Sequence, residues 1–205
     1  MHTDSHDTGQ QTASTGESTE PAPADGRPSQ QRSAILRYVV LGQAGWFICV
    51  ISAARGAGWI GVLFAAGVVA YHLANAIRPW REARLVGVAT LIGWMWESVL
   101  VHAGLLAYPN GIVIAGTAPY WMAGLWALFA VQFNVLLVWL GRRWLLAALS
   151  GLVAGPLSFR AGAALGAVQF AKTDAALLAL ALGWSILLPG MLWLARRWDG
   201  MHPAP

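Results

Sequence analysis

Two ionisable residues lie deep inside long apolar stretches of this sequence, Glu97 and Arg160. A charged side chain at bilayer depth is costly and usually faces the interior of a helical bundle, so each is a candidate functional residue. A buried carboxyl group can donate or accept a proton, and together with a guanidinium it could anchor a lipid headgroup. We therefore predict Glu97 and Arg160 as catalytic candidates. The alternative is a buried ion pair that only fixes the register of two helices.

Several uncharged residues share the apolar interior with these charges and could contact a substrate. His72 and Asn134 could form a polar network with Gln43 and Asn75, and the alternative is interhelical hydrogen bonds of about 0.6 kcal/mol each. Tryptophans near the middle of the apolar stretches could line an apolar pocket or fill a core. The predicted substrate-binding residues are His72, Trp94, Trp121, Trp126 and Asn134.

The sequence lacks the motifs of several enzyme classes. It has no Gly-Lys-Ser/Thr phosphate loop, no His-Glu-x-x-His motif and no nucleophile elbow. Its single cysteine, Cys49, excludes an internal disulfide. We predict no metal and no cofactor. The residues do not decide whether the chain is an enzyme.

The elements that must hold these residues are long apolar segments. Hydrophobic residues make up 57% of the 205 residues and charged residues 11%, against about 25% charged residues in soluble domains. About 20 apolar residues span a bilayer, and six segments meet that length: 34–54, 56–77, 85–105, 119–140, 144–170 and 175–195. The sequence therefore predicts an all-α polytopic membrane protein, a bundle of six transmembrane helices. Pro156 predicts a kink or two half-helices in the fifth segment.

The polar residues outside these segments predict the topology. Residues 1–33 carry almost no bulky apolar side chain, so we predict a disordered cytoplasmic tail there, with the six-span domain over 34–198 and a short cytoplasmic tail over 199–205. Ten of the 13 basic residues fall on one side of the membrane, whereas Arg55 and Lys172 fall on the other. Because cytoplasmic loops are enriched in Lys and Arg, both termini are predicted to be cytoplasmic.

Two blocks of the sequence resemble a known family. Residues 118–129 read Ala-Pro-Tyr-Trp-Met-Ala-Gly-Leu-Trp-Ala-Leu-Phe and precede Phe133-Asn134; residues 155–162 read Gly-Pro-Leu-Ser-Phe-Arg-Ala-Gly and precede Leu165-Gly166-Ala167. With Gly45-Trp46 and His72, the chain resembles, over 35–198, the bacterial inner-membrane family catalogued as domain of unknown function 2878. In that family's pattern an Asp is common where Glu97 stands and a Tyr where Phe159 stands, so the carboxylate is kept and a hydroxyl is lost. The resemblance implies a multi-pass membrane protein without an established activity, and it raises Glu97, His72, Asn134 and Arg160 as candidates without giving them roles.

Three functions are compatible with these features. We favour a protein that binds or modifies a lipid or another apolar substrate within the bilayer. The alternatives are a proton-coupled small-molecule carrier and a non-enzymatic scaffold for another membrane enzyme. The scaffold interface would be the glycine face formed by Gly151, Gly155, Gly162 and Gly166. The expected partners are the lipid bilayer, an apolar ligand, and a membrane protein or a second copy of the chain, with no nucleic acid.

Overall fold

A computed structural model describes residues 27–203, with side chains from Arg32 onward. Most of the predicted tail, residues 1–26, lies outside the described residues, and the first helix begins at Arg27. The described residues are chiefly helical, and two short strands pair antiparallel, Leu106 with Phe170 and Ala107 with Gln169. The elements are α1 (Arg27–Ala54), α2 (Gly58–Asn75), α3 (Pro79–His102), β1 (Leu106–Ala107), α4 (Tyr120–Ala130), α5 (Trp144–Ala164), β2 (Gln169–Phe170) and α6 (Thr173–Arg197), with a 3₁₀ turn at Leu140–Arg142.

Five of the helices, α1, α2, α3, α5 and α6, are long and apolar enough to cross a membrane. The structure does not confirm six such helices, because α4 has only 11 residues. At 1.5 Å per residue, α4 extends only about 16 Å. Beyond Ala130 the chain continues in turns, in which the Gln132 carbonyl accepts the backbone N–H groups of Leu136 and Leu137. The expected continuous helix over 119–140 was therefore wrong.

The fifth predicted segment forms one helix despite the proline inside it. α5 runs without interruption from Trp144 to Ala164 with Pro156 in its interior, so the alternative of two half-helices was wrong. Gly166 follows with a φ of 84°, in the left-handed region that glycine adopts without a steric penalty. The chain then enters β2, so this helix ends before Phe170, where the segment was expected to end.

Consecutive helices pack into two groups. α5 packs chiefly on α6, whereas α4 packs on α1, α2 and α3. Glycines permit the closest contacts: Gly93 on α3 lies against the Trp126 ring, and Gly151 on α5 lies against the backbone of Trp184. The contacts between the two groups are less extensive, with α3 packing on α6. A cavity lies where the groups diverge.

The bundle has two distinct ends. At one, which we call the strand end, β1 pairs with β2 and the Asn110 amide donates to the Ala53 carbonyl. At the other, which we call the arginine end, the Arg78 backbone N–H donates to the Gly200 carbonyl and Arg196 donates to the Gly141 carbonyl. The helices alternate in direction between these ends, as short connections require.

Candidate functional site

A cavity of about 690 Å³ lies between α1, α4 and α5, with residues of α3 and α6 completing its wall. This volume falls within the range of sites that enclose small molecules. Its lining is chiefly aromatic and aliphatic and includes Trp46, Trp121, Trp126, Phe129 and Trp184. The site is therefore suited to an apolar ligand.

Glu97 contributes the carboxyl group in the lining of this cavity. Its side chain is fully buried on the inner face of α3. The Tyr108 hydroxyl donates a long hydrogen bond of 3.4 Å to Oε2 of Glu97. Oε1 of Glu97 has no hydrogen-bond partner within the described part of the chain. A buried polar atom without a partner costs about 1–3 kcal/mol, so this oxygen has acceptor capacity that the described residues do not use.

Tyr108 is held against the cavity by the loop between α3 and α4. Its ring packs edge-on against Trp121, with centroids 5.6 Å apart, and the Trp121 indole N–H donates to the Asn110 carbonyl of the same loop. Burial, followed by the charge of Glu97, raises the pKa of the Tyr108 hydroxyl well above its ordinary value. Tyr108 therefore keeps its proton and acts as a donor at neutral pH.

Arg160 does not pair with Glu97. The Arg160 side chain is exposed and is not part of the cavity lining. Phe159 and Gly162, by contrast, are buried on α5 and line the cavity. Adjacent helical positions differ by about 100°, so a helix that turns Phe159 inward turns Arg160 away. Arg160 is also one turn from the end of α5, where a long side chain can reach the interface.

The tryptophans divide between the cavity and the surrounding core. Trp121 and Trp126, both predicted to bind substrate, line the cavity, whereas Trp94 is half-buried outside it. Trp126 stacks on Trp184 with ring centroids 5.0 Å apart and an interplanar angle of 18°. The Trp46 indole on α1 donates a 3.2 Å hydrogen bond to the Ser158 hydroxyl on α5. This bond crosses the gap between the two helices that flank the cavity.

His72 and Asn134 lie together, but in a second buried cluster at the arginine end. The centre of this cluster is Glu82, which is fully buried. Its Oε1 accepts hydrogen bonds from the Asn134 amide at 2.8 Å and from the Gly200 backbone N–H at 2.7 Å. His72 Nε2 lies 2.9 Å from Oε2, and His72 Nδ1 lies 2.8 Å from the Tyr38 hydroxyl. When Nε2 of His72 donates to Oε2 of Glu82, Nδ1 can accept the hydrogen bond of the Tyr38 hydroxyl, so both ring nitrogens have partners.

Glu82 was not among the predicted site residues, because it lies between the expected segments 56–77 and 85–105 and beside Arg78 and Arg81. The helix begins earlier, at Pro79, a residue that favours the first helical turn. A usable signal was the inner face of α3, whose buried residues include Glu82, Val86, Ala89, Gly93, Glu97 and Leu100 at spacings of three and four. Extending that stripe by one turn toward the N-terminus would have placed Glu82 inside.

The predicted glycine face of α5 is partly covered within the chain. Gly151 and Gly155 lie against Trp184 of α6. Gly162 lines the cavity instead. Among residues 27–203, no three His, Cys, Asp or Glu side chains are grouped so that they could hold a metal ion.

The helices and their interior define an all-α chain of the membrane-protein type, with five helices that could each cross a bilayer. The chain belongs to the DUF2878 family of proteins of unknown function, whose family model matches residues 35–190. Searches of curated proteins and of solved structures found no match.

Proposed function

We propose that this protein binds a lipid-like apolar molecule within the bilayer, in the cavity beside Glu97. In this proposal it is a multi-pass protein of the bacterial inner membrane with both termini cytoplasmic. The short α4 and the turns that follow it make the sixth crossing, at a depth where other protein covers the non-helical backbone. Irregular backbone is tolerated in a membrane only when it is buried in protein or lines a cavity.

The single observation that carries the proposal is a large apolar cavity with an unpaired carboxyl oxygen in its wall. The described side chains leave a space of about 690 Å³ between the helices unfilled, and a space of that size can hold a small molecule. A buried carboxyl oxygen without a partner is likewise expected at a site that something else completes. Both features belong to the same place in the fold.

The position of the cavity gives an apolar ligand a route from the lipid. Phe47 on α1 and Leu157 on α5 both line the cavity, yet their side chains are 49% and 60% exposed. The wall between α1 and α5 therefore reaches the outer surface of the bundle. A molecule dissolved in the bilayer can enter between these helices without crossing water.

Filling the cavity tests the proposal. Ala154 lines the cavity and Val153, its neighbour on α5, does not, so Ala154→Trp and Val153→Trp form a matched pair. Both variants and the wild type would be purified in a mild detergent, and the lipids that co-purify would be quantified by mass spectrometry. We expect one apolar species to be enriched with the wild type and Val153→Trp and to be lost with Ala154→Trp. Equal lipid profiles for all three folded proteins would contradict the proposal.

A proton-coupled carrier is the second candidate, favoured by the burial of Glu97 in a cavity that reaches the surface. Glu97→Gln separates the two functions, because the amide cannot exchange a proton. The carrier predicts that Glu97→Gln abolishes proton-driven flux of the ligand in vesicles, whereas a binding protein shows no such flux in either form.

A further inference from the structure

We propose that the ligand is a single-chain, uncharged alcohol whose hydroxyl group pairs with Oε1 of Glu97. This inference rests on the proposed function and specifies the chemical class of the molecule in the cavity. It follows from three properties of the lining: the unpaired oxygen, the charges that line the cavity, and the size and character of the walls.

The unpaired oxygen of Glu97 indicates that the ligand carries a polar head group. Oε2 of Glu97 has the Tyr108 hydroxyl, but Oε1 has no partner among the residues described. Oε1 is itself buried, so the Glu97 side chain must turn toward the cavity to meet a ligand. A hydroxyl group can donate a hydrogen bond to Oε1, which neither an ether nor a hydrocarbon can do. A pure hydrocarbon would leave this oxygen unpaired and would bind more weakly.

The charges in the lining exclude a phosphate head. The polar side chains around the cavity are uncharged apart from Glu97, and they include Gln43, Gln132, Ser150 and Ser158. No lysine or arginine belongs to the described lining, and Arg160 is exposed elsewhere on α5. Phosphate groups are held by Arg or Lys, and this lining supplies neither.

The walls fit one hydrocarbon chain. A cavity of about 690 Å³ encloses a molecule of drug-like size, which is smaller than a two-chain phospholipid. The stacked rings of Trp126 and Trp184 give it a flat aromatic side. A chain that lies along these rings can leave its hydroxyl at Glu97.

The test compares different polar head groups on the same hydrocarbon chain. Purified protein in detergent would be titrated with hexadecanol, its methyl ether, hexadecyl phosphate and hexadecylamine, and binding would be followed by native mass spectrometry. The methyl ether is the matched control, because it keeps the chain and an acceptor oxygen and loses only the donor. We expect hexadecanol to bind about tenfold more tightly than the ether, and the phosphate to bind more weakly than either.

Variants at the site link this preference to Glu97. Glu97→Leu should make hexadecanol and its methyl ether bind equally. Tyr108→Phe supplies a second test that does not depend on the folding of Glu97→Leu. It frees Oε2 as well, so hexadecanol should bind at least as tightly as to the wild type while the ether is unchanged.

Each outcome separates the two proposals. If hexadecanol and the ether bind the wild type equally, the alcohol head is wrong while the apolar site stands. Tightest binding of hexadecylamine or of hexadecyl phosphate would overturn the uncharged head. If none of the four probes binds, and Ala154→Trp leaves the co-purifying lipids unchanged, the proposed function itself fails.

Discussion

Two glutamates on the same face of α3 have opposite surroundings. Glu82 and Glu97 are both fully buried, and 15 residues of helix place them about 22 Å apart along the axis. Glu82 is held by Asn134, His72 and the Gly200 backbone. Glu97 has one long bond from Tyr108 and an oxygen without a described partner.

The contrast shows that burial alone does not identify a functional carboxylate. A satisfied buried network fixes one arrangement of the chain and leaves nothing for a ligand to complete. A carboxyl group with spare acceptor capacity in the lining of a cavity does leave something to complete. The cluster around Glu82 therefore holds the fold together, and Glu97 is the candidate for binding.

Removing the satisfied carboxylate should have the largest effect. Glu82→Ala leaves the Asn134 amide, His72 and the Gly200 N–H without their acceptor, and each buried donor left unpaired costs about 1–3 kcal/mol. We expect a drop of at least that size in the free energy of unfolding, measured by thermal or denaturant unfolding in detergent. Glu97→Ala is the matched control. Equal losses of unfolding free energy for both variants would contradict the contrast between the two glutamates.

The stretch of α3 between the two glutamates gives the next largest effect. A Cβ at Gly93 would overlap the Trp126 ring, whereas a Cβ at Gly87 meets nothing within 4 Å. Gly93→Ala should therefore destabilise the protein by about 1–3 kcal/mol through overpacking and disturb ligand binding near Trp126. Gly87→Ala should leave stability unchanged or raise it, since alanine favours the helix. Comparable unfolding curves for the two variants would argue against this close contact.

Replacing the unsatisfied carboxylate should change stability less. Glu97→Ala removes one long hydrogen bond from Tyr108 and also removes an unpaired buried oxygen. We expect the free energy of unfolding without ligand to change by about 1 kcal/mol or less. Hexadecanol should raise the melting temperature of the wild type more than that of the variant. A large loss of stability without ligand would assign Glu97 to the same structural role as Glu82.

The smallest effect concerns the hydrogen bond between Trp46 on α1 and Ser158 on α5, beside the cavity. Ser158→Ala removes the acceptor of the Trp46 indole, a contribution of about 1 kcal/mol. The ligand should dissociate a few times faster with little change in stability, as measured by displacement kinetics. Ser185→Ala is a control, because Ser185 bonds only the Leu182 carbonyl of its own helix. An unchanged dissociation rate would show that ligand does not pass between Trp46 and Ser158.

Hydropathy was enough to predict most of the helices. The expected segments 56–77 and 175–195 nearly coincide with α2 (Gly58–Asn75) and α6 (Thr173–Arg197). It failed for α4, because the apolar run up to Leu140 gives no sign that the helix ends at Ala130. Just beyond the end of α4, Asn134 forms a long-range hydrogen bond with Glu82, 52 positions earlier in the chain.

The candidate site was predicted only in part. Glu97, Trp121 and Trp126 were named as candidates from the sequence, and the structure places all three in the lining of one cavity. Tyr108 was missed because it lies in a loop, where nothing in the local pattern shows that the chain folds back onto Glu97. Arg160 was named as a catalytic candidate because it lies within an apolar run. Such a run does not show which side of the helix faces outward, and Arg160 is on the exposed side.

The hydrogen bond between Glu82 and Gly200 also bears on how the chain is assembled in the membrane. The two residues are 118 positions apart, so α3 is synthesised long before Gly200 leaves the ribosome. Until then, Oε1 of Glu82 lacks one of its two donors, and His72 and Asn134 bind a carboxylate whose hydrogen bonds are not all made. Nascent chains stalled before residue 198 should consequently remain sensitive to proteolysis at the turn between α2 and α3. That sensitivity should disappear once Gly200 has been added and has cleared the exit tunnel.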